Sequence, residues 1–505
     1  MQLPSFIKQT ALRTSVIFLV KIIGFTVRIP LFRILGSEGT GIYQIVYSVY
    51  GFVLTLLTGG FPTSLALTTA KNRQRGRRLF KGLVIPFLVF GGISSLICYA
   101  LAPQTARLLG DSQLEFPIRC LAPALLVVPL LQLFRGFLQG IEFYGYIAAS
   151  ELIEQTVRVS TMLLFVLLWI NYGTHAAAGG AVFGACTGAI AALWFLWLTI
   201  YKKGLMNGIS ENSNRPSFIV GSGILLLLKT SFAISLTRLI MPAADFLDAL
   251  IIPNRLQESG LNQSDAISIY GEIFGMASII VYMPTILTAA LSYTIAAKLA
   301  ADWQNNNKDS FVERSRLSIE IGWLSGIASM LFFFFHADEL SVFIFGNSSA
   351  AKAIRFMAFA PLIAGIRELI TTVLWASDFK RAPLTGLILG LICSTVLGYY
   401  LTAIPGFGYA GAAISVLVLE LTALLWNVAV LQKRCKGAFP VLLLSADLLL
   451  LVTIGFLCTK QEFSILHNGI LGSIRSFENI LIFTGCIILY ILIRFWRITK
   501  RRNEI

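Results

Sequence analysis

Apolar segments about as long as a bilayer-spanning helix, near 20 residues, recur along the whole chain and are separated by short polar loops. Fourteen can be marked, at roughly 10–33, 40–69, 80–102, 117–139, 148–170, 177–201, 217–253, 266–298, 317–336, 350–376, 383–403, 409–432, 440–459 and 477–496. Backbone inside hydrocarbon must satisfy its own hydrogen bonds, so segments of this length read as helices. The seventh and eighth are long and carry Pro242 and Pro284, where a missing backbone donor bends a helix. The expected fold is an all-α integral membrane protein.

Composition agrees. Only 13% of the 505 residues are charged and 56% are hydrophobic, against about 25% charged in soluble domains. Mean hydropathy is +0.78. So few charges cannot cover a water-facing surface, which excludes a soluble enzyme, a disordered chain and a disulfide scaffold. The seven cysteines form no C-x-x-C pair and mostly sit in apolar stretches, as small core hydrophobes do. The first apolar run holds Lys21 and Arg28 and lacks a small-residue cleavage site, so it reads as a retained helix.

A net charge of +15 would suggest nucleic acid in a soluble protein. Here the basic residues lie between apolar runs, and their distribution sets the orientation. With both termini cytoplasmic, the inner segments hold twenty-five Lys and Arg, six of them in KNRQRGRRLFK (71–81), and the outer loops hold four. The expectation is a multi-pass cell-membrane protein with an even number of spans and no nucleic-acid partner.

An internal repeat follows. At an offset of 236, IRCLAPALLVVPLLQLFRGFLQGIEF (118–143) aligns without gaps on IRFMAFAPLIAGIRELITTVLWASDF (354–379). Identities include Ile118/Ile354, Arg119/Arg355, Ala122/Ala358, Leu133/Leu369 and Phe143/Phe379, and Glu142 faces Asp378. AGGAVFG (178–184) resembles AGAAISV (410–416). Six spans separate the paired segments, so the halves are parallel repeats. This divides the chain into a six-helix bundle over 1–205, a second over 206–436, and two extra helices with a basic tail over 437–505.

Catalytic and metal signatures are absent. The three histidines are isolated, and there is no H-E-x-x-H, P-loop or G-x-S-x-G. One G-x-G-x-x-G, at Gly406, Gly408 and Gly411, follows a span instead of a strand and reads as a tight loop. No cofactor is expected.

Ionisable groups within spans are costly and usually face a polar interior. Lys21 and Arg28 stand seven apart on one face of the first helix. They suit either snorkelling and packing or a cationic patch for a phosphate, which Arg forks onto and Lys meets as a point charge. Glu151, Glu154 and Arg158 share the fifth helix. Glu154 and Arg158 are an i,i+4 pair, read as a structural ion pair or as a coupling site for a proton or cation. On the seventh helix stand Arg238, Asp245 and Asp248, open to internal neutralisation or to coupling. Tyr43, Tyr47 and Tyr50 form one helical stripe, and Gln132, Arg135 and Gln139 another. Such walls serve packing or a sugar-bearing substrate.

Three segments carry a family resemblance: KIIGFTVRIPLFRILGSEGTGIYQIVYSVYGFVLTLLTGGFPTSLA (21–66), LFRGFLQGIEFYGYIAASELIEQTVRV (133–159) and DFLDALIIPNRLQESGLNQSDAISIYGEIFGMASIIVYMPTILTAAL (245–291). The chain resembles the stage V sporulation protein B and lipid II flippase-like branch of the multidrug/oligosaccharidyl-lipid/polysaccharide exporter superfamily. The resemblance implies a flippase for undecaprenyl-pyrophosphate-linked sugars such as peptidoglycan lipid II. Alternating access, with coupling to an ion gradient or the membrane potential, is the expected mode of action. It implies that Lys21 and Arg28 line the cavity, in a K-x-x-G-x-x-x-R frame. Lipid II flippases usually carry Arg at the first position and an acidic residue after the second, where this chain has Lys21 and Ile29. It also implies a groove for the polyprenyl tail at the last two helices. Arg238, Arg135 and Gln139 complete the expected substrate-binding set, and Glu151, Glu154, Arg158, Asp245 and Asp248 the coupling or gating set. A multidrug exporter or a teichoic-acid or capsular lipid exporter of the same superfamily is the alternative. The mid-span cations Lys21, Arg28 and Arg238 argue against a site for cationic drugs.

Overall fold

The computed structural model describes residues 5–205, 229–232, 234–435, 437–440, 444–450, 452–453, 484–485, 488–490 and 492–494. These are helices and connecting turns, with no strand among the described residues. Ten of the helices are long and apolar enough to cross a membrane. Two of the expected spans, near 10–33 and 40–69, join into one element. The last two, near 440–459 and 477–496, fall mostly outside the described residues. Contacts divide the chain into two units, 1–271 and 272–505. This division falls later than the one suggested by the repeat, because the helices after residue 239 pack with the first unit.

In the first unit, α1 (Ser5–Thr58) runs through the expected loop and kinks at Gly36, whose φ is 67°. Only glycine takes that conformation without a side-chain clash, so the turn persists as a bend. Then come α2 (Phe61–Lys71), with Pro62 in its first turn, and α3 (Arg73–Ala100), capped by Asn72 accepting from the Arg75 amide. A short α4 (Ala102–Leu108) leads to α5 (Glu115–Gly140), α6 (Tyr144–Trp169) and α7 (Thr174–Lys202). The unit closes with α8 (Ile240–Glu258) and α9 (Gln263–Tyr270), both packed on α1. Helix α5 is central, with 72% of its apolar window buried, whereas 11% of that of α3 is buried. Helix α3 therefore lies at the lipid-facing periphery.

Small residues let helices approach closely. A Cβ at Gly184 would lie 2.7 Å from the Arg158 carbonyl oxygen, and one at Gly188 2.5 Å from that of Glu154. Glycines four apart let α7 press on the backbone of α6, the membrane mode of packing without a hydrophobic driving force. The Thr161 and Thr187 hydroxyls hydrogen-bond at 2.6 Å across the same seam.

A π-helical turn, Gly271–Ala277, crosses the boundary between the units. The second unit contains α10 (Ser278–Val281), α11 (Thr285–Gln304), α12 (Lys308–Phe335), α13 (Ala337–Phe345), α14 (Ala351–Met357), α15 (Ala360–Ala376), α16 (Arg381–Leu401) and α17 (Gly408–Arg434). Its core includes Leu299, Phe311, Ile327, Ile366, Ile370 and Leu431. The glycine motif is a packed turn: Gly406 has φ 75°, and a Cβ at Gly411 would come within 2.6 Å of the Leu401 backbone. From the last segment, Arg494 holds Asp447 at 2.8 Å and 2.9 Å.

The repeat has a backbone signature. Glu142 and Asp378, paired at the offset of 236, have φ of 65° and 63°. Each follows its helix with the same hydrogen bonds. The amides of Glu142 and Phe143 donate to Gln139 and Leu138, and those of Asp378 and Phe379 to Trp375 and Leu374. This is the left-handed stop that usually takes glycine.

Candidate substrate-binding site

The first unit gathers cations, tyrosines and carboxylates from α1, α5 and α6. Arg135 on α5 is buried and donates through Nε to the Ser150 hydroxyl at 3.0 Å. Its Nη1 lies 2.7 Å from Glu154 Oε2, and these side chains are 10% and 16% exposed. Glu154 Oε1 is 4.0 Å from Arg158 Nη1. Arg158 in turn donates to the Tyr47 hydroxyl at 3.0 Å, with its guanidinium 5.9 Å from that ring's centre. Tyr47 stacks on Tyr43 at 5.6 Å and leans on Tyr50 at 5.7 Å. Arg28 lies beside Tyr43.

These contacts form one connected path, Arg28–Tyr43–Tyr47–Arg158–Glu154–Arg135–Ser150. Three guanidinium groups share it with one carboxylate. Glu151 lies one helical turn before Glu154, and Gln139 is half-buried one turn beyond Arg135. Arg158 keeps 24% of its side chain exposed. Such a surface can accept an anion by hydrogen bonds from forked donors and phenol hydroxyls. Helix α1 approaches α6 closely here, since a Cβ at Gly24 would meet the Gln155 amide at 2.9 Å.

The remaining expected residues fall elsewhere. Lys21 lies seven residues before Arg28 on α1, and its side chain lies outside the described residues. Arg238 is exposed and donates to the Gly59 carbonyl and the Thr63 hydroxyl, both at 3.1 Å, bracing the break between α1 and α2. Asp245 and Asp248 share α8 with Phe246, which stacks on Phe52 of α1 at 4.7 Å. Asp248 is half-buried and Asp245 exposed.

At the far end of the same unit a polar belt joins the segments. Glu38 accepts from Ser264 at 2.6 Å and from Thr174 at 3.4 Å. Asp111 accepts from Gln263, and Asn254 donates to the Leu108 carbonyl at 3.0 Å.

Ser150 was not among the expected residues. It stands as far after the turn at 142–143 as Arg135 stands before it, so hairpin register carried the signal. In the second unit, charges pair within and between helices: Arg367 of α15 with Glu420 of α17, Arg316 with Glu320 at 2.9 Å, and Arg314 with Asp302 at 2.7 Å. No cluster of three metal-ligating side chains occurs among the described residues.

The molecule is thus a multi-pass, all-α membrane protein whose first unit carries an internal network rich in cations. It belongs to the polysaccharide biosynthesis protein family, which matches residues 6–291. Among curated relatives, stage V sporulation protein B of Bacillus subtilis (strain 168) is 24% identical over 469 residues, covering 91% of this chain and 90% of that protein. The lipid II flippase MurJ of the same organism is 22% identical over 461 residues, covering 86% and 84%. Among solved structures, lipid II flippase MurJ in an inward closed conformation aligns with a TM-score of 0.70 and 14% identity, over 94% of this chain and 98% of that one. An inward-facing multidrug resistance MATE family transporter of the MOP superfamily aligns at 0.67 with 12% identity, over 85% and 98%.

Proposed function

We propose that the protein is a flippase, not an enzyme, and moves an undecaprenyl-pyrophosphate-linked sugar, a lipid II-like peptidoglycan precursor for the spore cortex, from the inner to the outer leaflet of the cytoplasmic membrane. The observation that carries this reading is the connected network of Arg28, Arg158 and Arg135 along the tyrosine stripe, with Glu154 as its central carboxylate. Guanidinium forks match phosphate oxygens, and phenol hydroxyls and Gln139 suit a sugar. The names of the similar proteins support the same class. No covalent step is required: alternating exposure of the site to the two leaflets moves the head group, while the chain stays in lipid. The two bundles expected from the repeat supply the moving parts, and the extra C-terminal helices a groove for the polyprenyl tail. Asp245 and Asp248, three apart on α8, are the carboxylates best suited to bind a coupling cation, with Glu151 and Glu154 nearer the anion.

The test is native mass spectrometry of lipid II binding alongside a reconstituted flipping assay with defined lipid-linked sugars. Arg28→Ala and Lys21→Ala should each weaken binding roughly tenfold, because a charged hydrogen bond contributes about 1.5–3 kcal/mol. Lys21→Arg should retain it. Alanine variants that fold normally and bind lipid II as the parent does would overturn the phosphate-clamp reading. Flipping of teichoic-acid or capsular lipid carriers in place of lipid II would redirect the substrate within the same class.

A further inference from the structure

Helices α3 and α7 both pack along α5. Between them lies a groove of about 660 Å³. Its floor is Phe80 and Phe134, edge to face at 4.9 Å. One wall is Lys81, Val84 and Ile85 of α3, and the other is Trp197, Tyr201 and Lys202 near the end of α7. Ile85 is 70% exposed and Tyr201 75%. Trp197 and Tyr201 stack at 6.0 Å with their planes 14° apart.

Three properties of this groove belong together. Its walls are mostly apolar, and one of them is α3, the least buried of the spanning helices among the described residues. Its mouth carries two ammonium groups, and no acidic side chain is among the described lining residues. Its aromatic pair is of the kind that sits at the level of lipid head groups. Lys81 and Lys202 line one groove, so residues 81 and 202 stand at the same end of the unit. The Lys/Arg distribution assigns that end to the cytoplasm.

We propose that this groove holds one anionic phospholipid of the cytoplasmic leaflet, its acyl chain on Phe80, Phe134 and Ile85 and its phosphate between Lys81 and Lys202. A zwitterionic lipid would bring its own ammonium toward two others, whereas a head group with net negative charge gains from both. The basic run 71–78 at the start of α3 adds a diffuse field that draws anionic lipid toward the groove. The groove shares no residue with the Arg28–Arg158 network, so the inference stands apart from the flippase reading.

Native mass spectrometry of the full-length protein in detergent tests it, with phosphatidylglycerol and phosphatidylcholine of matched chains as probes. The parent should retain phosphatidylglycerol about tenfold more strongly, and inorganic phosphate should not compete. Lys81→Ala/Lys202→Ala should lower retention to the level of phosphatidylcholine. Ile85→Trp, which fills an exposed part of the groove without changing charge, should lower retention of both lipids. Arg73→Ala/Arg75→Ala, which weakens only the diffuse field, should lower phosphatidylglycerol retention far less than the lysine pair does. These positions are exposed, or half-buried at Arg75, so melting temperatures should match the parent and confirm folding. Equal retention of both lipids by the parent overturns the proposal. So does an unchanged lysine variant, an unchanged Ile85→Trp, or a loss in Arg73→Ala/Arg75→Ala as large as in the lysine pair.

Discussion

Arg135 and Glu154 meet at 2.7 Å across the turn between α5 and α6, both nearly out of contact with the surface. Breaking a buried pair from one side leaves the other charge uncompensated, which costs about 3–5 kcal/mol. Glu154→Gln should therefore lower the melting temperature of the purified protein clearly. Arg135→Met/Glu154→Gln should recover most of that loss. A single variant that melts with the parent would show that the carboxylate is not structural, and a flipping assay on it would then read coupling directly.

Tyr47 is the link between Arg158 and the stacked tyrosines. Tyr47→Phe keeps the ring and removes the hydroxyl. If the hydroxyl orients Arg158 toward a phosphate, lipid II binding should fall severalfold to tenfold with an unchanged melting temperature. If the hydroxyl serves packing alone, stability should drop and affinity should not. Measuring both on one preparation separates the outcomes.

Orientation can be read by single cysteines in a cysteine-free background. Asn347→Cys, between α13 and α14, should react with a membrane-impermeant thiol reagent in intact cells, and Gln74→Cys should not. Labelling at 74 would invert the topology, and with it the leaflet assigned to the groove between α3 and α7.

Glu142 and Asp378 hold a backbone conformation that disfavours side chains, at φ 65° and 63°. Both are exposed. Glu142→Gly and Asp378→Gly should each stabilise by roughly 1 kcal/mol, the usual cost of a left-handed non-glycine residue. Glu142→Val and Asp378→Val should destabilise. Thermal melts of the four variants check this, and opposite signs at the two sites would argue that the shared stop is not a shared device.

Much of the architecture was legible because a bilayer leaves so few options. Span length and the scarcity of charge pointed to the all-α membrane class. The Glu142/Asp378 match found its physical form in twin left-handed stops. The Gly36 bend was not legible as such: a glycine opening GSEGTG (36–41) reads as a loop, and only packing decides whether the helix resumes after it. The site was half legible. Arg28, Arg135, Glu154 and Arg158 stood out as charges inside spans, and Tyr43, Tyr47 and Tyr50 as a stripe. Local spacing pointed Glu154 at Arg158, its i,i+4 neighbour. The nearer partner is Arg135, because a tertiary contact at 2.7 Å outweighs a helical one at 4.0 Å. Arg238 read as a cavity cation, yet it braces the turn at Gly59, a backbone acceptor that no pattern of side chains announces.

Every partner in the path from Arg28 to Ser150 is drawn from α1, α5 and α6. A polytopic chain enters the membrane from its N-terminus as the ribosome delivers it, and domains tend to fold in that order. Arg28 and Tyr43 emerge together on α1, and Tyr47 is already in place when Arg158 arrives. Arg135 is the exception, since it must wait for the next helix to bring Glu154. A nascent chain stalled between α5 and α6 would hold a bare guanidinium among apolar helices, a costly state. Once α6 is inserted that liability is gone, and the path from Arg28 to Ser150 is complete before the second half has been translated.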